Sequence, residues 1–461
     1  MPHKRKKYIL LIGDIIIFYL SLFSALLIRN SFYFTKEIWY KYLTPFTIIL
    51  IFFVFLFYIS NLYKLEYKPN SSVFFRLIIN NFLIGSLFSI IIFYFFPDLI
   101  NTTNYKITPK ASLFIFFIVF FLNFYIWRFL YYFLFSTYLP KENLLFINLN
   151  KYSGQLIKKI QDNPQLGFVA TLIFCSKEEE SKLSNNQIPI FNNLEDLEKN
   201  IKKYKINTLV LSSKLENSQK LRDKLFKCLN LDITYITWQR FYEIIMEKIP
   251  IETINQIWFF ENINKKKKKQ FIFFKKIYDF LLAIIIFTIT FPIWILIAII
   301  IKIDSRGKVF FHQNRVGEKK QIFKLIKFRT MQEKDNDGGP TKENDPRITN
   351  IGKFLRKTRL DELPQIINII KGDMSFVGPR PERPKIINEL TKKIPFYNER
   401  MLIKPGLTGL DQISGEYHSP STEDTLEKLK YDFFYIKNQS LYLDFSILLK
   451  TILIIIKAKG R

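Results

Sequence analysis

The first 140 residues alternate between long apolar runs and short polar connections. The runs cover residues 8–28, 43–62, 77–96 and 111–135. About 20 apolar residues, at 1.5 Å per residue, cross a hydrocarbon core of roughly 30 Å, so we predict four transmembrane helices. The basic leader, residues 1–7, predicts that both ends of this unit face the cytoplasm. Arg128, within the fourth run, is expected to mark the cytoplasmic end or to snorkel toward it.

Residues 141–264 instead alternate between short strand and helix patterns. Strand patterns occur at 143–149, 169–175, 208–211 and 233–236, and helix patterns occur at 153–161, 194–204 and 219–229. This alternation predicts a small parallel sheet in a Rossmann-like α/β module. A dinucleotide site requires three spaced glycines after the first strand, but only Gly154 is present. We therefore expect a packing or regulatory module.

A fifth apolar run, residues 277–303, opens the third predicted domain, residues 265–461. Asp279 lies near its start, and Thr290 and Pro292 interrupt its middle. A proline removes one helical hydrogen bond, so the helix either crosses the membrane with a kink or bends and returns to the same side. A Thr290 hydroxyl could then satisfy freed backbone groups. The remainder predicts short strands at 309–311 and 322–327, several helices, and a final interfacial helix over 440–457.

Residues 352–365 concentrate charge around two adjacent carboxylates. Asp361 and Glu362 follow Arg356 and Arg359, and the isoleucines after Pro364 keep helical spacing until the next glycine. The pattern predicts a helix that begins here with Asp361 as its N-cap, which would keep the carboxylate ionised and attract phosphate nearby. The alternative is an ordinary capped helix with a solvated basic face.

A further basic residue is a candidate for an anion site. Prolines on both sides of Arg380, at Pro379 and Pro381, restrict the backbone and suit a phosphate or nucleotide contact. A rigid structural turn explains the same residues.

Composition narrows the class of partner. Hydrophobic residues make up 49% of the chain, and the net charge of +28 requires an anionic partner: lipid, phosphorylated substrate or nucleic acid. The two cysteines are isolated and form no metal-ligand pattern. A nucleic-acid partner is not predicted, because the chain carries no recognition motif and its basic residues cluster near membrane segments.

An ordered series of motifs between residues 270 and 460 resembles the bacterial sugar transferase family, the monotopic phosphoglycosyl transferases that act on polyprenyl phosphate. The four preceding helices and the α/β module resemble the long form of that family. The matching segments are KKIYD at 275–279, NRVG at 314–317, KFRTM at 327–331, DPRIT at 345–349, LDELPQ at 360–365, residues 372–382, KPGLTG at 404–409 and LYLD at 441–444.

The resemblance implies an enzyme that transfers a sugar 1-phosphate from a UDP-sugar to undecaprenyl phosphate and releases UMP. It implies that Asp361 is the nucleophile of a covalent intermediate and that Glu362 helps to hold Mg²⁺ or handles a proton. The same resemblance implies phosphate contacts from Arg356, Arg359 and Arg380, and a uridine contact from Pro379, Arg380 and Pro381. Lys327 and Arg329 are weaker candidates for the same pocket. The resemblance also implies a re-entrant helix bent at Thr290 and Pro292, with Asp279 as a structural partner that pairs with a basic residue.

The implied location is the bacterial cytoplasmic (inner) membrane, with the catalytic domain facing the cytoplasm, where the product starts an exopolysaccharide, capsule or O-antigen. The expected partners are the UDP-sugar, undecaprenyl phosphate and membrane lipid, with a homo-oligomer left open. Asp411 and Glu416 depart from the family pattern and affect the expected sugar or lipid contacts. The alternative function is a catalytically silent membrane scaffold whose α/β module senses a ligand.

Overall fold

The computed structural model describes residues 3–33, 35–95, 110–138, 141–149, 152–175, 188–212, 218–263, 268–332, 345–414 and 421–456. These residues form two compact units, Met1–Trp238 and Gln239–Arg461. Glu416 and most of the lysine run that begins at Lys265 lie outside the described residues.

Four long helices form the first part of unit one, as predicted. They are α1 (His3–Arg29), α2 (Lys36–Ile59), α3 (Ser72–Phe95) and α4 (Lys110–Phe133), and a π-helical turn, Leu134–Tyr138, continues α4. All four are long and apolar enough to cross a membrane, as is a fifth helix in unit two. The chain is therefore a membrane protein.

Phenylalanine rings fill the space between these four helices. Phe18, Phe46, Phe53, Phe116 and Phe120 are almost completely buried. The ring centres of Phe46 and Phe116 lie 4.9 Å apart in an edge-to-face arrangement, which is favourable for aromatic pairs. Much of the high phenylalanine content therefore serves helix packing.

Arg128, which we expected to mark the cytoplasmic end of the fourth helix or to snorkel toward it, is buried and does not snorkel. Its Nη2 lies 2.7 Å from Oδ2 of Asp14 in α1, and both side chains are buried. Its Nη1 donates to the carbonyl oxygen of Leu62. Two opposite charges within an apolar bundle satisfy each other, and this pair joins α1 to α4.

Among the described residues, the second part of unit one is a five-stranded parallel sheet with three α-helices. The strands are β1 (Glu142–Ile147), β2 (Phe168–Phe174), β3 (Ile190–Phe191), β4 (Thr208–Leu211) and β5 (Thr234–Thr237), and the helices are α5 (Ser153–Asp162), α6 (Leu197–Lys203) and α7 (Gln219–Lys227). The strand order is β3-β2-β1-β4-β5, which reverses beside β1 as in Rossmann-like folds. The predicted α/β module is confirmed, and the structure adds the two-residue strand β3.

Polar contacts attach the α/β module to one end of the helix bundle. Nζ of Lys6, in the basic leader, donates to the carbonyl oxygen of Leu166 over 2.6 Å. Lys159 of α5 pairs with Glu66, in the connection between α2 and α3, at 2.9 Å. The leader, this connection and the module therefore lie at the same end of the bundle.

Unit two begins earlier than the predicted boundary at residue 265. Residues 239–263 pack within it: Glu243 of helix α8 (Trp238–Met246) pairs with Lys437 at 2.7 Å, and Ile249 and Ile254 enter a core with Phe433. The other helices are α9 (Gln256–Asn262), α10 (Lys269–Asp304), α11 (Asn350–Thr358), α12 (Gln365–Lys371), α13 (Pro384–Lys393), α14 (Leu410–Ile413), α15 (Thr422–Asn438) and α16 (Leu441–Ile456).

Two small sheets complete unit two. Strands β6 (Phe310–Val316) and β7 (Ile322–Phe328) form an antiparallel hairpin, and β8 (Ser375–Val377) pairs in parallel with β9 (Gly406–Thr408). A core from α10, β7, α12, β8 and α16 holds them together, with Trp294, Phe328 and Phe376 among its buried residues.

Helix α10 is attached to the rest of unit two near its start, at its end and through a few buried residues between them. Near its start, Oδ1 of Asp279 accepts a hydrogen bond from the backbone N–H of Phe376 at 3.3 Å. At its last residue, Oδ2 of Asp304 accepts from the backbone N–H of Ile351 at 3.3 Å. Between them, Ala283 and other buried residues enter the core. Both ends of this long apolar helix are therefore attached to the same compact unit.

Candidate active site

The two adjacent carboxylates lie on a short 3₁₀ turn between two helices. Helix α11 ends at Thr358, the left-handed conformation of its C-cap Arg359 (φ 58°) reverses the chain, and the turn Leu360–Glu362 follows. Helix α12 starts only at Gln365, and Pro364 occupies its N-cap position. The prediction that Asp361 caps this helix is therefore wrong, because the chain needs one separate turn between α11 and α12.

Glu362 is an anchor for two cations. Its Oε1 accepts hydrogen bonds from Nζ of Lys327 at 2.7 Å and from Nη2 of Arg380 at 2.9 Å. Burial opposes ionisation, but the charges of Arg380 and Lys327 hold the pKa of Glu362 well below its usual range. A carboxylate that stays ionised is a poor proton acceptor, so this geometry favours a structural charge over proton transfer.

Asp361 has a different environment from its neighbour. Its side chain is buried and accepts no hydrogen bond among the described residues. Burial raises its pKa, the charge of Lys327 opposes that rise, and the charge of Glu362 adds to it. We expected a helix terminus to favour the ionised form, but no helix begins at this residue. The result is a poorly solvated carboxylate surrounded by cations.

Some of the other predicted phosphate ligands lie close to Asp361, and others are directed away from it. Nε of Arg356 donates to Oγ1 of Thr330 at 2.9 Å, and the charge of Asp361 acts on this guanidinium, so Arg356 belongs to the site. Arg359 supplies the turn before Asp361. Arg329 is directed elsewhere: its guanidinium donates to the carbonyl oxygens of Ser305 and Arg306, just after α10. Its predicted role in the pocket is replaced by a structural one.

The segment 379–381 is held by more than its two prolines. Nη2 of Arg400 donates to the carbonyl oxygen of Arg380 at 3.0 Å, and Nη1 of Arg315 donates to that of Pro381 at 2.9 Å. The N–H of Gly406 donates to the carbonyl oxygen of Pro379. The guanidinium of Arg380 is therefore presented to Glu362 from a fixed backbone.

Sequence reasoning missed Arg315 and Arg400. Arg315 lies in the quoted NRVG motif, which was a usable signal. Arg400 has no local motif; it is buried and pairs with Asp432 at 2.9 Å. Burial raises the pKa of Asp432 to about 7, although the charge of Arg400 opposes this rise. Asp411, which departs from the family pattern, is also buried, and its burial raises its pKa.

The predicted membrane-edge residues differ in detail from expectation. Asp279 accepts from a backbone N–H and forms no ion pair among the described residues, while Lys275, whose charge also acts on Asp279, pairs with Asp444. Helix α10 continues through Pro292. The Thr290 hydroxyl donates to the carbonyl oxygen of Ile286 and accepts from the indole N–H of Trp294. It therefore does not satisfy the carbonyl that Pro292 leaves free.

The carboxylate pair fits Mg²⁺ only together with a phosphorylated ligand. The described residues contain no group of three or more His, Cys, Asp or Glu side chains that could hold a metal. Mg²⁺ commonly binds one or two carboxylates plus phosphate oxygens and water. Asp361 and the second oxygen of Glu362, which accepts no hydrogen bond from the described residues, suit that arrangement.

Comparison with known proteins decides the family. The family model of bacterial sugar transferases matches residues 270–458. The exopolysaccharide production protein ExoY of Rhizobium meliloti (strain 1021) is 36% identical over 203 residues, which cover 40% of this chain and 87% of that protein. The chain belongs to the bacterial sugar transferase family.

Two longer relatives match a similar share of this chain. The UDP-N-acetylgalactosamine-undecaprenyl-phosphate N-acetylgalactosaminephosphotransferase of Aeromonas hydrophila is 41% identical over 190 residues, 41% of this chain and 45% of that protein. The UDP-glucose:undecaprenyl-phosphate glucose-1-phosphate transferase of Escherichia coli (strain K12) is 39% identical over 181 residues, 39% of each chain. The chain spans less than half the length of these two relatives. A model described as a CoA-binding domain matches residues 58–237.

Proposed function

We propose that this sugar transferase moves a sugar 1-phosphate from a UDP-sugar to undecaprenyl phosphate and releases UMP, thereby starting a lipid-linked surface glycan such as an exopolysaccharide, capsule or O-antigen. The observation that carries the proposal is the environment of Asp361: a buried carboxylate that accepts no hydrogen bond from the described residues and lies beside Lys327, Arg356 and Arg380. Cations around a carboxylate allow an anionic nucleophile to approach an anionic phosphate. The names of the relatives support the same reaction class.

In the first step, a carboxylate oxygen of Asp361 forms a bond to the β-phosphorus of the UDP-sugar. The bond between that phosphorus and the bridging oxygen breaks, and UMP leaves with the electron pair. The product on the enzyme is an acyl phosphate that carries the sugar.

In the second step, an oxygen of undecaprenyl phosphate attacks the same phosphorus. The bond to Asp361 breaks, its carboxylate is restored, and the sugar leaves on a lipid diphosphate. Two displacements at one site require the two substrates to react in turn, so the kinetics should be ping-pong.

The residues around Asp361 have different electrostatic roles in this proposal. Lys327 and Arg380 are held by Glu362 and can stabilise the charge that develops on the phosphoryl oxygens. Arg356, Arg359 and the segment 379–381 are further phosphate and uridine contacts in this proposal. When bound, Mg²⁺ would neutralise part of the diphosphate charge, held by Asp361 and Glu362.

We also propose that α10 is re-entrant and that unit two faces the cytoplasm from the inner membrane. Between Asp279 and Asp304, 25 residues of helix would extend about 38 Å at 1.5 Å per residue, more than a hydrocarbon core of roughly 30 Å. A crossing helix would place these two ends on opposite sides, yet both bind one compact unit. A cysteine introduced near residue 380 should react with an impermeant thiol reagent only from the cytoplasmic side; reaction from outside would contradict this topology.

The activity test measures UMP. Membranes that contain the protein should release UMP from at least one of a panel of UDP-sugars when undecaprenyl phosphate and Mg²⁺ are present. Asp361→Asn should abolish release while the protein still inserts into the membrane. Asp232→Asn, at an exposed aspartate of the α/β module, is the matched control and should retain activity. Near-full turnover by Asp361→Asn would show that the nucleophile is another residue.

A further inference from the structure

Strand β7 is the only strand that pairs with β6 among the described residues. The other edge of β7 faces α12. In an antiparallel pair, alternate residues direct their backbone N–H and C=O groups away from the partner strand. Lys324 and Ile326 do so here. Buried backbone groups at such an edge need another hydrogen-bond partner.

The side chain of Asn368 supplies that partner. Its Oδ1 accepts from the backbone N–H of Ile326 at 3.1 Å, and its Nδ2 donates to the carbonyl oxygen of Lys324 at 2.8 Å. The amide thus pairs with β7 as the backbone of a further strand would. Nδ2 also donates to Oδ2 of Asp373 at 3.2 Å, which fixes the orientation of the amide. Asn368 is 1% exposed.

These bonds connect the two segments that meet at Glu362. Lys327 follows Ile326 directly in β7, and its Nζ reaches Oε1 of Glu362 at 2.7 Å. The turn that holds Asp361 and Glu362 precedes α12, the helix of Asn368, by two residues. The amide of Asn368 is therefore a direct link between the strand of the cation and the helix behind the carboxylates.

We propose that Asn368 is a positioning residue that sets the distance between Lys327 and the Asp361–Glu362 turn. It does not touch the reacting atoms; it acts through the backbone of β7. Its catalytic consequence rests on the proposed function, whereas its effect on Lys327 does not. A displacement of about 1 Å between reacting groups can lower a rate about 100-fold.

The first test measures the reactivity of Lys327 in the full-length protein. Acetic anhydride is applied at low dose, and acetylation of Lys327 is quantified by mass spectrometry relative to the exposed Lys353. In Asn368→Ala we expect acetylation of Lys327 to increase several-fold, because its contact with Glu362 is lost. Asn438→Ala, which removes another hydrogen-bonded amide of unit two, should leave it unchanged. An unchanged level of Lys327 acetylation in Asn368→Ala would overturn the proposal.

The second test is a double-mutant cycle on kcat. Asn368→Ala and Lys327→Met should each lower kcat for UMP release by about 10- to 100-fold, and the double variant should resemble Lys327→Met alone. Losses that multiply would contradict the proposal, since they would mean that Asn368 acts independently of Lys327. An inactive wild-type protein would instead contradict the proposed function, and the acetylation result would still decide the role of Asn368.

If Asn368→Ala does not accumulate as folded protein, Asn368→Asp replaces it. This variant has nearly the same volume and keeps an acceptor for Ile326, but it turns the donor that faces the Lys324 carbonyl into an acceptor. The same increase in Lys327 acetylation is expected, and unchanged protection would again overturn the proposal.

Discussion

The substitution Glu362→Gln removes one charge and leaves the shape of the side chain. In the wild-type protein, one oxygen of Glu362 binds both Lys327 and Arg380. A hydrogen bond to a charged group contributes about 1.5–3 kcal/mol and a neutral one about 0.5–1.5 kcal/mol, so two weakened bonds cost about 2–3 kcal/mol. The Arg380 side chain is 39% exposed, so solvent screening places the loss near the lower value, about 2 kcal/mol.

Thermal unfolding of the detergent-solubilised protein measures this loss. For a unit of about this size, 1 kcal/mol corresponds to about 2–4 °C, so Tm should fall by about 4–8 °C at neutral pH. The low pKa of Glu362 in the folded state means that its stabilisation is complete above the unfolded-state pKa, near 4, and is lost as pH falls toward the folded-state value. The gap between wild type and variant should therefore narrow only below about pH 4.

Glu382→Gln is the matched control. Glu382 has one ion-pair contact, with Arg315 at 3.4 Å, and it is more exposed than Glu362. A long contact of this kind between partly exposed side chains contributes about 0–1 kcal/mol, so the Tm of this variant should change by no more than about 4 °C. Equal shifts for both variants would refute the view that Glu362 is the anchor of two cations.

Three further results are expected. UMP release should fall as pH drops through the raised pKa of Asp361, because only the ionised carboxylate attacks. In Glu362→Gln a neighbouring negative charge is gone, so this fall should begin at lower pH. A fall that begins at higher pH would contradict the assignment of Asp361 as the nucleophile. Gly352→Ala places a methyl group 2.2 Å from a backbone carbonyl oxygen and should lower the free energy of unfolding by at least about 1–3 kcal/mol. Gly154→Ala, with open space around it, should not lower it. Equal Tm values for the two variants would contradict the close packing at Gly352. Arg128→Leu should lower the yield of folded protein because it leaves the buried Asp14 without its opposite charge, at a cost of about 3–5 kcal/mol. An unchanged yield would contradict the buried ion pair.

The pattern of apolar residues was sufficient for the first four helices and for most of the five-stranded sheet. Run length alone identified α1 to α4, and short strand patterns separated by helix patterns identified β1, β2, β4 and β5 within one or two residues. Strand β3, Ile190–Phe191, was missed because two residues are too few to form a recognisable strand pattern. The start of unit two was missed for another reason: Glu243 meets Lys437, 194 positions later, and no local pattern records that contact.

The candidate site was predictable as a set of residues but not as an arrangement. Motif order selected Asp361, Glu362, Lys327 and Arg380. The opposite electrostatic environments of the two carboxylates could not be read from their adjacency, because the partners of Glu362 lie 35 and 18 residues away. The contact of Arg400 with the segment 379–381 could not be predicted, because its acceptor is a backbone carbonyl oxygen, which any residue provides.

The covalent phosphosugar on Asp361 is the central claim, and a mass measurement tests it directly. The purified full-length protein is mixed with the UDP-sugar that supports turnover and with Mg²⁺, without undecaprenyl phosphate, and quenched in acid. We predict a burst of UMP of at most one equivalent and a mass increase of one sugar phosphate on the peptide that contains Asp361, both lost in Asp361→Asn. UMP formation that needs undecaprenyl phosphate, or an adduct on another residue, would contradict the two-step reaction.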